Sequence, residues 1–157
     1  MTKQYLFHAA DIAALPETSS VHQFNDNAVR LTKTLTAIAG LERIGLHFVR
    51  LEPGRASTEF HSHDNDEEFL FIVSGSGTAT IGSTTHTIGA GDLMAFPCGS
   101  PAHDMINTGD EDLVYLMGGE RNQADVVHYP RLERSMVKSA GRRYFSLWKD
   151  QTPLQPK

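Results

Sequence analysis

A chain of 157 residues and 17.3 kDa has room for one domain, with a core that hides roughly 70% of its unfolded surface without staples. A net charge of −5 has the wrong sign for a dedicated nucleic-acid binder, and no stretch approaches the ~18 apolar residues of a membrane span. The lone Cys98 excludes an internal disulfide framework and an all-thiolate metal site; Asp11 and Glu17 stand where a signal peptide would be apolar, so the chain reads as cytoplasmic.

Residues 1–30 are weakly patterned, with a helical turn predicted at Asp11–Leu15 before Pro16. From Ile44 the period becomes that of a half-buried strand, with Ile44, Leu46 and Phe48 alternating with Gly45, His47 and Val49. Pro53-Gly54 marks a turn. The apolar run FLFIV at 69–73 closes on Ser74-Gly75-Ser76-Gly77. Thr78–Ile81 and Thr85–Ile88 flank Gly82-Ser83-Thr84 as a hairpin. LMAF at 93–96, Ala102–Ile106 and Leu113–Met117 complete a series of short strands divided by turn clusters. This rhythm, without a helical period between Ile44 and Met117, predicts an all-β sandwich or closed barrel. Beyond Gly118 stand strand-like Val126–Tyr129 and Tyr144–Trp148 and a short amphipathic piece near Leu132–Val137. That segment has too few apolar residues for a core of its own and is expected to wrap the barrel. It is also basic: the balance is −9 over residues 1–119 and +4 over 120–157. A solvated tail is the plainer expectation, and a tail crossing onto an acidic face the sharper one.

Chemistry concentrates in EFHSHDNDEEFLFIVSGSG. His61 and His63 are two apart, so on a strand they point to one face, roughly 6–7 Å apart along it. Glu68 opens the next apolar run, where an antiparallel return sets its carboxylate beside both imidazoles. A carboxylate at that position needs a partner, since an unpaired buried charge costs several kcal/mol. In the second stretch, GDLMAFPCGSPAHDMIN, Pro97-Cys98-Gly99 breaks one strand and His103 lies early in the next, with Met105 on its face.

The two stretches resemble the paired motifs of the cupin superfamily. The first reads Gly54, six residues, His61-x-His63, four residues, Glu68, six residues, Gly75, with one residue more than the usual interval after Gly54. The second reads Gly91, five residues, Pro97-x-Gly99, three residues, His103, three residues, Asn107, with one extra residue before His103. Both insertions lie outside strands. The resemblance covers about Arg43–Gly118 and implies a double-stranded β-helix, or jelly-roll barrel of the RmlC-like type, with a barrel core at about 43–118. Segments 1–42 and 119–157 are then N- and C-terminal extensions of one domain. It further implies that His61, His63, Glu68 and His103 bind one divalent transition metal per chain, of the set Fe, Mn, Ni, Co or Zn. The flanks NAVRLTKTL and DVVHYP are similar to those of small bacterial single-cupin proteins labelled sugar-phosphate isomerase or dioxygenase.

Three imidazoles and one carboxylate leave two positions open on an octahedral ion. That suits a metalloenzyme acting on a small oxygenated metabolite, by isomerisation or oxygenation; the alternative is a non-catalytic sensing module with the metal as anchor. A homodimer is expected, with no nucleic-acid or membrane partner. Glu67 is set aside as ligand by the interval to Gly75, and Asp64, Asp66 and Glu67 are expected in a solvated turn. His47 is expected at the surface or an interface, with the cavity side as the alternative, and His8, His22, His86 and His128 away from the site.

Overall fold

A computed structural model describes residues 4–152; the outer ends of both extensions, 1–3 and 153–157, lie outside the described residues. The helical turn forms slightly earlier than predicted, as α1 (Ala9–Ala13), because the His8 N–H donates to Asp11 Oδ2 at 2.8 Å and closes its N-terminus. The weakly patterned N-terminal segment proves to be a hairpin of β1 (Thr18–His22) and β2 (Asn25–Thr34). Its strands escape a periodicity reading because β1 is exposed on both faces over four of its five residues. After a short α2 (Leu35–Ala39), closed by Gly40 in the left-handed region, the chain enters β3 (Ile44–Leu51) and β4 (Ser62–His63). There follow β5 (Glu68–Ser74), β6 (Ser76–Ile81), β7 (Thr84–Gly89), β8 (Leu93–Phe96), β9 (His103–Ile106) and β10 (Leu113–Glu120). The C-terminal part folds as β11 (Ala124–Tyr129), β12 (Arg134–Ser139) and β13 (Arg142–Leu147).

These strands make antiparallel sheets in the orders β1-β2-β3-β10-β5-β8, β13-β12-β11-β4 and β7-β6-β9, the jelly-roll arrangement expected. Val49, Leu51, Ile72, Leu113 and Met105 are at most 2% exposed and form the centre of the core between them. The β5–β6 reversal runs so close to β10 that a Cβ on Gly75 would lie 2.4 Å from the Asp112 carbonyl oxygen, and Gly75 has φ +80°. Only glycine meets both demands.

Register decides which faces look inward. Tyr115 on β10 stands opposite Val49 on β3 and Ile72 on β5, while Gly119 stands opposite Glu68, and Glu68 opposite Phe96 on β8. The inward residues of β3 are therefore His47, Val49 and Leu51, so His47 takes the alternative of facing inward and not the surface position expected of it. Ile44 is 47% exposed, and Leu46 and Phe48 lie half-buried on the outer face, where α2 covers part of it. An apolar residue on each side of the strand made the alternation ambiguous, and pairing to β10 settled it.

The basic C-terminal segment is not a solvated tail. The amphipathic piece near Leu132–Val137 starts as a 3-10 turn at Pro130–Leu132, reverses at Glu133 in the left-handed region, and continues as β12. β11 pairs with β4, setting Val127 opposite His63. Lys138 bonds Asp66 at 3.1 Å and Arg131 pairs with Asp104, so the segment crosses onto acidic residues of its own barrel.

Candidate metal centre

His63 ends the short β4 and His61 stands just before it, where an isolated bridge joins His61 to His103 across the barrel. The exchange is mutual, His103 N–H to the His61 carbonyl at 2.7 Å and His61 N–H to the His103 carbonyl at 3.1 Å. Glu68 enters from β5. A Cβ on Gly119 would sit 3.1 Å from its Cγ, so the small residue opposite leaves the carboxylate its space. Phe96 stacks on the His103 ring, 3.5 Å between centroids and 2° from parallel, which holds that imidazole flat.

All four predicted side chains converge. Glu68 Oε2 lies 3.6 Å from His61 Nε2, 3.5 Å from His63 Nε2 and 3.6 Å from His103 Nε2. The other ring nitrogens are each taken by a group that can only accept: the Glu59 carbonyl (3.0 Å from His61 Nδ1), the Asp125 carboxylate (2.6 Å from His63 Nδ1) and the Pro101 carbonyl (3.4 Å from His103 Nδ1). Each Nδ1 must then carry its proton, and in the neutral ring each Nε2 turns a lone pair toward Glu68. Two donors ~2.1 Å from a shared ion stand roughly 3.0–3.5 Å apart for angles of about 90–110°, so the observed spacing is at the wide edge of what one ion spans. His61, His63 and Glu68 form a trio with ligand atoms within 4.8 Å of one another, and His103 stands just outside it while keeping its distance to Glu68. The donor set, nitrogen-rich with one oxygen, fits a divalent transition metal.

Electrostatics favour the ligand forms of Glu68 and His61 and, in the metal-free protein, the protonated form of His63. Burial would raise Glu68, but in rings that carry a second proton the hydrogen bonds from His103 and His61 and the charge of His63 prevail and hold it well below the usual carboxylate range. Burial pushes His61 down against the pull of Glu68, keeping it neutral. For His63 burial also lowers, yet the bond to Asp125 and the charge of Glu68 raise it overall. Asp125 is itself held at about 2: burial opposes ionisation, but the His63 bond and backbone N–H groups of Asn65 and Asp66 favour it more.

The site opens into a cavity of about 490 Å³ with an apolar side of Leu70, Met94, Phe96 and Met105. Several expectations are corrected here. Asp66 is not in a solvated turn but buried, bonded to Lys138 and to the Asn122 N–H. His63, Asp66 and Asp125 also cluster within 4.8 Å, yet these bonds already occupy them, which makes the cluster a brace behind His63. His22 lines the cavity wall from β1. His47 faces inward from β3, with a buried Nδ1 that no described group bonds. Glu67, His8 and His86 are exposed, and His128 is engaged by Asp64 and Ser135, as expected of residues outside the site. The sequence reading missed Asp125, Arg30 and Tyr115. Each comes from a segment distant in the chain, and no local spacing marks them.

No curated protein matches the chain. The family model "Cupin domain" matches residues 47–119. A crystal structure from Acidithiobacillus ferrooxidans, described as a "putative sugar phosphate isomerase", is 36% identical with a TM-score of 0.94 over 97% of both chains. A sugar phosphate isomerase of the cupin superfamily from Silicibacter pomeroyi is 27% identical with a TM-score of 0.76 over 90% of both. A "predicted oxalate decarboxylase" of Thermotoga maritima shares the fold alone, at 19% identity and TM-score 0.60 over 71% of this chain and 96% of its own. Two-motif spacing, a jelly-roll barrel, a His-rich cluster at its centre and a relative matched along nearly its whole length lead to one conclusion: the chain belongs to the cupin family.

Proposed function

We propose that this cupin binds one divalent transition metal on His61, His63, Glu68 and His103 and acts on a small oxygenated metabolite, as an isomerase moving a proton next to a carbonyl. The observation that carries this reading is the orientation of three imidazoles, each pinned by an acceptor on Nδ1 so that Nε2 faces Glu68 at 3.5–3.6 Å. The names borne by the two most similar structures described above support the choice of isomerisation. When bound, a divalent metal supplies Lewis acidity to a carbonyl or hydroxyl oxygen at its open positions. The chain's own part is to keep Glu68 ionised, to hold each imidazole by an acceptor on Nδ1, and to exclude water with Leu70, Met94 and Phe96. We also place the protein in the cytoplasm as a homodimer, the latter supported by the free edge of β1, where Val21 is 56% exposed.

Metal analysis of untagged protein, with the H103A variant as control, tests the centre; incubation with sugar phosphates in D2O, followed by NMR, tests proton exchange. One equivalent of metal, lost in H103A, with deuterium incorporation is the expected result. A chain that binds no Fe, Mn, Ni, Co or Zn refutes the reading, and tight binding of an unchanged sugar phosphate replaces the enzyme with a sensing module. The apolar wall favours a second reading, oxygenation, which oxygen uptake by the Fe(II)-loaded protein would reveal.

A further inference from the structure

The wall of the metal-site cavity carries positive charge that no described group neutralises. Two carboxylates line it: Glu68 faces the histidines, and Asp104 is paired with Arg131. Two arginines, Arg30 and Arg143, line it as well. Ion pairs among the described residues engage Arg50, Arg131 and Lys138 and leave both of these out. Arg30 lies on β2, on the face shared with Thr32, which pairs with inward-facing Val49. Its side chain turns into the barrel, where Nη1 meets only Met117 Sδ, at 3.9 Å. A guanidinium offers five donors in a planar fork, and one thioether is a poor acceptor for it.

Beside it stands a second unmet donor. Tyr115 is fully buried, lines the same cavity, and its hydroxyl has no hydrogen-bond partner. A buried hydroxyl left unpaired is unfavourable, and its usual explanation is a group that completes it. Burial raises Tyr115, while Arg30 lowers and Glu68 raises it, which puts the protonated hydroxyl within the field of both.

We propose that the ligand of this cavity is an oxyanion, a small hydroxy or oxo compound bearing a carboxylate or a phosphate ester, whose anionic group is held by Arg30 and one of whose oxygens accepts from the Tyr115 hydroxyl. Arg143 adds attraction at the rim. The proposal rests on the metal reading above only for the opposite end of the ligand.

Titration calorimetry tests it, with glycolate, glycerol 3-phosphate and neutral glycerol as probes, on metal-free and Mn(II)-loaded protein. Wild type is compared with R30M, R30K and Y115F, each checked by thermal melting. At least one anion binds wild type and glycerol does not; the tighter anion tells carboxylate from phosphate. R30M weakens anion binding about tenfold or more and R30K less, because lysine keeps charge but not the fork. Y115F weakens it roughly threefold to tenfold. Mn(II) affinity stays within about threefold of wild type in all three variants, as none replaces a proposed ligand. Unchanged anion binding in R30M, equal binding of glycerol, or no anion bound in either form overturns the proposal. Arg30-dependent anion binding by a protein that takes up no Mn(II) would sink the metal reading and leave this one standing.

Discussion

Replacing Asp125 with Asn probes the brace behind the proposed centre. Asp125 Oδ2 receives the His63 Nδ1–H at 2.6 Å, while Oδ1 receives the N–H groups of Asn65 (3.0 Å) and Asp66 (3.3 Å). All three partners donate, and Asn has one oxygen to offer in place of two. If that oxygen serves the two backbone groups, the amide NH2 faces His63 and forces its proton onto Nε2, the atom turned toward Glu68. If the amide flips, two buried N–H groups oppose its NH2. Either way the variant loses something measurable. Holding Asp125 at about 2 against an ordinary 3.8 corresponds to roughly 2 kcal/mol of metal-free stability. Because the folded value is the depressed one, that stability is complete above about pH 4 and drains away as pH falls toward 2. Wild type and D125N should therefore differ by about 2 kcal/mol in urea unfolding at pH 7 and converge near pH 2. Metal affinity, read by competition with a chromophoric chelator, should fall about 10- to 100-fold. Imidazole nitrogen NMR should show the His63 proton moved to Nε2 in the unflipped case. Wild-type metal affinity together with an unchanged tautomer and unchanged stability would refute the reasoning.

Asn107 is fully buried, donates to the Leu51 and Glu111 carbonyls at 2.8 Å each, and accepts from the Gly109 N–H. N107A strands these groups and should cost about 2–4 kcal/mol, measured by chemical unfolding. A Cβ on Gly118 would lie 2.3 Å from Phe69 Cε1, so G118A must displace that ring and should cost about 1–3 kcal/mol, relieved in the double variant with F69L. Arg50 bridges Glu17 at 2.9 Å and Asp112 at 2.8 Å, yet about a third of each side chain stays in water. E17Q should lower stability by under about 1 kcal/mol, and less still in high salt.

Much of the barrel could be read from the chain because each strand is bounded by its own breakers. The FLFIV run before Gly75, the hairpin around Gly82 and LMAF before Pro97 are local statements, and β5, β6–β7 and β8 form where they stand. Spacing likewise fixed that His61 and His63 share a face, whereas the set of four proposed ligands, with Glu68 and His103, is what the resemblance to the paired cupin motifs implies. N-terminal β1 and β2 were not legible: β1 is an exposed edge strand that need not alternate, and β2, half-buried along most of its length, shows no period of two.

By itself the chain determined the spacing of His61 and His63, the positions of turns and the all-β class, all properties of neighbours in sequence. Only tertiary structure decided which side of β3 looks inward, putting His47 and Val49 on the inner side of the barrel in place of Leu46 and Phe48. It also brought Asp125 behind His63 from 62 residues away, and set Arg30 and Tyr115 on one wall. Pairing between distant strands leaves no mark on local composition, and with a side-chain period of two, one residue of register exchanges a wall of the cavity for its outer surface.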